Sequence, residues 1–328
     1  MRALTRAELR RLVPMTDAIE LMKVAFAELS AGRAISPLRT VLPLQEGAAD
    51  ALYMPAYVPA LGALGVKVVS VFSGNPARGL PLIHALVCLI DPDTGEPLAI
   101  LDGTYLTALR TGAVSGAATD LLARADSRVL VTFGAGAQGV TQVAAVCAVR
   151  PIERVIVVDP NPDARDRFQS AVAADWQDLL ERLEFSDDRR VVREADVVCA
   201  ATTSRTPVFD DADVQAGTHI NAVGAYTPEM QEIPPETVRR STVVVDAMDA
   251  ALAEAGDLIK PLREGIIGRE HLERELGMVA AGLVPGRSSE NEVTFFKSVG
   301  NAVQDMVVAR RAVDRARDEG VGMTIELG

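Results

Sequence analysis

The chain has 328 residues, 48% of them apolar, and carries 33 Lys or Arg against 45 Asp or Glu, a net charge of −12. That length accommodates two domains of ordinary size, and the acidic balance argues against nucleic acid or an anionic membrane as partner. Every apolar run falls short of the roughly 20 residues a membrane span needs. The start of the chain is charged (Arg2, Arg6, Glu8, Arg10, Arg11) with no apolar signal core, so a soluble cytoplasmic protein is expected.

In chain order, Thr16 reads as a helix cap. Ile19, Met22, Phe26 and Leu29 then recur at helical spacing, and Gly32 stops the helix. Residues 38–44, 51–54, 65–72, 83–90 and 97–101 read as short strands. Turns such as Asp93-Thr94-Gly95 separate them, which predicts an antiparallel sheet. Residues 104–123, rich in Ala, Leu and Thr, predict a helix.

The most informative stretch follows. An apolar strand at 128–133 runs into Gly134-Ala135-Gly136-Ala137-Gln138-Gly139, then a helical stretch, then a second strand ending at Asp159. Glycines let the backbone turn tightly and approach a diphosphate, and the helix behind them offers its N-terminal N–H groups to it. Asp159 stands near the spacing of about 20 residues expected of the acid that binds a ribose 2′-hydroxyl. A tight turn without ligand would need only part of this pattern.

Further strands at 196–201, 219–224 and 243–246 alternate with helices, which means a parallel sheet covered on both faces. The last helix starts near Ser298 and ends before Gly320. Val303, Met306, Val307 and Val313 give it an apolar face, and it is expected to return to the N-terminal part of the chain. The fold class is therefore α/β: a Rossmann-type doubly wound domain over 121–302, and a smaller α+β domain with an antiparallel sheet over 1–120 plus 303–328. Cys88, Cys147 and Cys199 lie in apolar runs without metal-ligand spacing and read as buried free thiols, and no metal site is expected.

Three cations stand in unusual places: Arg39 at a strand start, Lys67 inside an apolar strand, and Arg110 in an otherwise uncharged helix. A charge in an apolar element is costly unless it is paired or faces a polar cleft. Lys67 could be an edge-strand lysine reaching for water, and the arginines could be structural ion pairs. Grouped around one cleft, the three would suit a small carboxylate.

The chain resembles the ornithine cyclodeaminase/mu-crystallin family over nearly its whole length. The resemblance rests on Gly65-Val-Lys-Val-Val-Ser70, Asn75-Pro-Ala-Arg-Gly-Leu-Pro81, Ala108-Leu-Arg-Thr111, Gly134-Ala-Gly-Ala-Gln138, Asn221-Ala-Val-Gly224, Ala255-Gly-Asp-Leu258 and Thr294-Phe-Phe-Lys-Ser-Val-Gly300. It implies a homodimer whose antiparallel sheets meet, so that the smaller domain binds substrate and dimerises. By matching motif, Arg39, Lys67 and Arg110 would hold a substrate carboxylate, with Val299 in the substrate pocket. Gly134, Gly136, Ala137 and Gln138 would meet the diphosphate and Asp159 the adenosine ribose. Thr111, Thr202, Asn221, Ala222, Val223, Gly224 and Ser298 would line the cofactor. Lys67 is the expected proton donor, with Asp305 or a water behind it; Asp305 reads equally well as a helix-start charge.

Departures from the family pattern choose among activities. Cyclodeaminases carry an aspartate shortly after Asn-Ala-Val-Gly, where Tyr226 stands here, and a glutamate before Met-Pro, where Leu52 and Tyr53 precede Met54-Pro55. Leu82 replaces a threonine common after Gly-Leu-Pro. The expected function is an NAD-dependent imine reductase or amino-acid dehydrogenase, with NADH preferred over NADPH. Its substrate would be a small carboxylate-bearing imine such as pyrroline-2-carboxylate or piperideine-2-carboxylate. Ornithine cyclodeaminase, with Glu229 standing in for the aspartate, and a mu-crystallin-like binding protein are the alternatives.

Overall fold

The computed structural model describes residues 1–45 and 48–326. The chain divides into two compact units, Met1–Arg110 with Asn301–Gly328, and Thr111–Gly300. In chain order the elements are β1 (Arg2–Leu4), α1 (Arg6–Leu12), α2 (Met15–Ser30), β2 (Thr40–Leu44), β3 (Ala49–Val58), β4 (Ala63–Phe72), β5 (Ile83–Ile90), β6 (Pro97–Asp102) and α3 (Gly103–Leu122). There follow β7 (Val129–Phe133), α4 (Ala137–Val149), β8 (Arg154–Val158), α5 (Pro162–Asp175), β9 (Leu183–Ser186), β10 (Val197–Ala200), β11 (His219–Ala222), α6 (Pro235–Arg240) and β12 (Thr242–Val245). The chain ends with α7 (Met248–Glu254), α8 (Gly256–Arg263), α9 (Leu276–Ala280), β13 (Thr294–Lys297), α10 (Ala302–Asp318) and β14 (Met323–Thr324). The division between units passes through α3, earlier in that helix than the boundary at 120 suggested by the sequence.

The first unit holds a seven-stranded sheet in the order β14-β1-β6-β5-β4-β3-β2. Its pairings are antiparallel except β1 with β6. Thr16 is not a cap. α2 begins after Pro14, whose ring fixes φ ahead of the helix, and Thr16 falls inside the first turn. The side-chain cap is Thr5, which opens α1: it accepts from the Glu8 N–H while the Glu8 carboxylate takes the Thr5 N–H.

Strand periodicity places the key lysine. On β4, Ala63, Gly65, Lys67 and Val69 share the buried face, because side chains alternate across a sheet. Met54 lies opposite Lys67 and Leu52 opposite Val69, so both share that face. α10 lies against it. A Cβ on Gly65 would fall 2.1 Å from the Cys88 carbonyl oxygen and 2.9 Å from Met306 Sδ, so only glycine fits between β5 and α10. As expected, α10 returns to the N-terminal part of the chain, and Val303, Met306, Val307 and Val313 are buried.

The second unit holds a parallel sheet in the order β12-β13-β11-β10-β7-β8-β9. Its core includes Val131, Phe133, Ile156, Val198, Ile220 and Phe295, each contributing roughly 1.5–3 kcal/mol on burial. Strand order reverses between β7 and β10, the switch point where doubly wound sheets take ligands. All three cysteines are free thiols: Cys199 is buried, and Cys88 and Cys147 are half-buried. Among the described residues, no helix is long and apolar enough to cross a membrane.

Gly65→Ala should destabilise the protein by roughly 1–3 kcal/mol through overpacking. Gly74→Ala, in open space, should be within about 0.5 kcal/mol of wild type. Urea unfolding of the two variants checks this.

Candidate functional site

In the first unit the ammonium of Lys67 donates to Asp305 Oδ2 at 2.7 Å, and both side chains are shut off from solvent. The other carboxylate oxygen, Oδ1, faces Arg110 Nε at 3.5 Å. Arg110 also donates to Gln304 Oε1 at 2.8 Å. That same oxygen accepts the Asn301 N–H at 2.9 Å in the capping box that opens α10. Ser36 in turn donates to Asn301 Oδ1 at 2.6 Å. Helix α10 therefore supplies one carboxylate for two cations and one amide that aims the arginine.

The charge state of this cluster follows from burial. Loss of solvent and the nearby Arg110 guanidinium drive Lys67 down to about 7, against the pull of Asp305, and Arg39 adds to the depression. Arg39 is half-buried just ahead of β2. The structure thus brings Lys67, Arg110, Asp305 and Arg39 together. An amine of this kind can give or take a proton at neutral pH beside two guanidinium groups suited to a carboxylate. The edge-lysine reading of Lys67 does not hold, because its ammonium ends on a buried carboxylate and not in water.

The second unit assembles the glycine turn. Gly134 has φ +98°, and a Cβ there would fall 2.6 Å from the Ala201 carbonyl oxygen. On Gly139 it would fall 2.2 Å from the Gly134 carbonyl oxygen. Gly136 caps α4 without a side-chain bond and faces open space. Gly136 and Ala137 are exposed and Gln138 is half-buried, so the N–H groups of the first turn remain open to an anion. Asp159 accepts the Ala135 N–H through Oδ2 at 2.8 Å and the Asn161 N–H through Oδ1 at 2.9 Å.

Other residues singled out from the sequence lie on or beside the strand ends of this unit, except Thr111, which lies in α3. The Thr202 hydroxyl is taken by Glu232 at 2.9 Å. Asn221 is turned inward, bonded to Thr119 at 2.9 Å and to His219 at 3.2 Å, and Ala222 is buried in the core, so from this stretch Val223 and Gly224, both half-buried, are left to meet a ligand. Ser298, Val299 and Gly300 all donate to Asp246 Oδ2, at 2.7, 3.0 and 2.9 Å. The Thr111 carbonyl accepts from Gln142 at 3.0 Å. His219 is a core residue, with its pKa driven down to about 3 by burial. Glu229 is exposed, and its carboxyl is held below the usual range by its own backbone and Thr227.

Sequence reasoning missed Gln304, Glu232, Asp246 and Asp257. Only Gln304 carried a local signal, as the third residue of an Asn-x-x-Gln capping box. The others are buried carboxylates whose partners are distant in sequence or are backbone N–H groups.

The profile of the ornithine cyclodeaminase/mu-crystallin family matches residues 2–320. A Delta(1)-pyrroline-2-carboxylate reductase of Bacillus cereus is 40% identical over 327 residues, covering 99% of this chain and 100% of that protein. Among solved structures, the Thermococcus litoralis Delta(1)-pyrroline-2-carboxylate reductase in complex with NADH and L-proline is similar. Its TM-score is 0.94 at 41% identity, over 99% of this chain and 100% of that one. An archaeal alanine dehydrogenase dimer with bound NAD matches with TM-score 0.91 at 35% identity, over 100% of this chain and 99% of that one.

Asp305→Asn should destabilise the protein by roughly 3–5 kcal/mol at pH 6, where an ammonium is left buried without its carboxylate. The folded pKa of Lys67 lies below its unfolded value, so the unfolded chain binds the extra proton and stability rises with pH across that interval. Without Asp305 the folded Lys67 gives up its proton at a lower pH than in wild type, so the wild-type advantage is lost as pH rises through about 7 and the penalty should be smaller at pH 9. Urea unfolding at the two pH values, against wild type, checks the sign; a penalty equal at both would contradict it.

Proposed function

This chain belongs to the ornithine cyclodeaminase/mu-crystallin family, and we propose that it is an NAD(H)-dependent oxidoreductase of small carboxylate-bearing C=N compounds. Its substrate is a cyclic imino acid of the pyrroline-2-carboxylate or piperideine-2-carboxylate type, and the reverse reaction dehydrogenates a small L-amino acid. The observation that carries the reading is the buried Lys67–Asp305 pair flanked by Arg110 and Arg39. Support also comes from the Bacillus cereus and Thermococcus litoralis reductases, which span the full chain.

The second unit fits a dinucleotide: Gly136 leaves open the space a side chain would fill, and α4 has an uncapped N-terminus. Gly134, Gly136, Ala137 and Gln138 would hold the diphosphate and Asp159 the adenosine ribose. Thr111, Thr202, Val223, Gly224 and Ser298 would line the rest. When bound, NADH supplies the hydride that the imine carbon receives.

The chain's own residues do the remainder. Arg39 and Arg110 fix the substrate carboxylate, which orients the C=N bond and lowers the entropic part of the barrier. Gln304 holds Arg110 in position through its 2.8 Å bond. Lys67 gives its proton to the imine nitrogen, since an iminium is the better electrophile, and Asp305 keeps the amine protonated often enough to do so.

Against cyclodeamination stand Leu52, an apolar residue on the Lys67 face of β3, and Glu229, which lies exposed on the surface. An amine held without a carboxylate in a closed site loses several kcal/mol, roughly the cost of an unpaired buried charge. The protein acts as a homodimer in the cytoplasm. Val41, Leu42 and Leu44 of edge strand β2 are 46%, 47% and 39% exposed, and an exposed apolar edge calls for a covering partner.

Enzyme with NADH should reduce pyrroline-2-carboxylate or piperideine-2-carboxylate, and enzyme with NAD⁺ and ornithine should release no ammonia. For reduction, kcat/KM should fall as pH rises through about 7, because the donor must be protonated. Dehydrogenation of proline should rise through the same interval. Lys67→Met should abolish reduction with NADH binding intact, and a reduction profile flat from about pH 6 to 9 would remove Lys67 as donor.

NADH should be preferred over NADPH by at least about tenfold in kcat/KM, since a carboxylate repels a 2′-phosphate. The nearest arginine of α5, Arg165, already donates to the Asp159 carbonyl at 2.6 Å and the Ser186 carbonyl at 3.2 Å. Asp159→Ser should erode the preference. Equal use of NADPH by the wild type would contradict the assignment.

A further inference from the structure

We infer that Glu232 is a positioning residue for the nicotinamide half of the dinucleotide site, a buried carboxylate that fastens the loop after β10 to the loop after β11. This rests on the dinucleotide reading above. Glu232 is fully buried, yet all its capacity is spent on two short loops. Oε1 accepts the Thr202 N–H at 2.6 Å and the Thr202 hydroxyl at 2.9 Å. Oε2 accepts the Gly224 N–H at 2.8 Å and the Ala225 N–H at 2.9 Å. Each oxygen serves one loop, so the side chain is a bridge and not a cap.

The loops it joins are pressed together. A Cβ on Gly224 would fall 2.2 Å from the Thr202 carbonyl oxygen, 2.4 Å from its nitrogen and 2.5 Å from Glu232 Oε1. β10 and β11 are adjacent parallel strands. In a doubly wound sheet each half holds one mononucleotide at the carboxyl ends of its strands. The glycine turn and Asp159 occupy the half built on β7 and β8, which leaves the ends of β10 and β11 to the nicotinamide.

The bridge itself has a rigid base. The N–H groups of Glu232 and Ile233 donate to Asp257 Oδ1 at 2.7 and 3.0 Å. Asp257 Oδ2 receives Lys297 from β13 at 2.8 Å, and Asp257 and Lys297 are both fully buried. Lys297 supplies the positive charge that makes two buried carboxylates tolerable. Glutamine at 232 keeps the size but turns one NH₂ toward N–H donors, so whichever way it faces, one loop loses its acceptor. Aspartate keeps the charge but cannot span both loops.

The test is equilibrium binding of NADH, by its fluorescence, and of ADP-ribose, by calorimetry, to wild type, Glu232→Gln and Glu232→Asp. Glu232→Gln should weaken NADH by about tenfold or more, in line with the loss of hydrogen bonds to a charged group. ADP-ribose, which lacks the nicotinamide, should stay within about twofold. Glu232→Asp should show the same split with a smaller loss of NADH, and it carries the test if the glutamine variant does not fold. Equal weakening of both ligands in the variants would make Glu232 merely structural, and unchanged NADH affinity would make it irrelevant; either overturns the inference. Wild type that binds neither ligand overturns the dinucleotide reading, and this inference with it.

Discussion

A lysine ammonium on the buried face of an apolar strand is the constraint on which the first unit depends. Lys67 cannot stay charged there without a carboxylate, and the carboxylate comes from α10, near the other end of the chain. To deliver Asp305, α10 must pass over the sheet closely enough that Gly65 has no room for a side chain. The same helix start carries Gln304 and Asn301, which fix Arg110 and tie in Ser36. One helix terminus thus sets the direction of the cationic cluster, and the compromise between burial and pairing leaves its amine able to exchange a proton near pH 7.

The second unit solves a different problem with the same chemistry. Loops at the ends of parallel strands have N–H groups that no strand pairs, and carboxylates, buried or half-buried, collect them. Asp246 gathers the N–H groups of Val299 and Gly300 with the Ser298 hydroxyl. Asp159 holds Ala135 in the glycine turn, and Glu232 ties two loops into one surface. Charge-assisted bonds of this kind are about twice as strong as neutral ones, which suits loops that must keep one shape while a cofactor comes and goes.

How much of this could be read from the residues depended on whether the signal was local. The glycine turn, the short strands and turns around β4 and β5, and the apolar face of α10 are signals within a few residues, and the structure agrees with them. β1, β9 and β14 span three, four and two residues, too few for a period to stand out, even though β9 alternates apolar and polar. Lys67 and Arg110 stood out as charges in apolar elements. Asp305 was expected behind Lys67 only as an alternative to a water, because nothing local distinguishes it from an ordinary helix-start acid, and its contact with Arg110 was not expected. Asn221 shows the converse: its motif was visible, but its side chain serves Thr119 and His219 in the core. Glu232 was invisible because its partners are mostly backbone N–H groups.

The central claim is that Lys67 is a buried amine that titrates near neutrality. The chain has four lysines, Lys23, Lys67, Lys260 and Lys297, so lysine-selective ¹³Cε labelling and NMR titration can follow each, with Lys67→Met assigning the resonance. The account predicts that the Lys67 signal moves with a midpoint near 7. A midpoint at the ordinary lysine value of about 10.4 would contradict it.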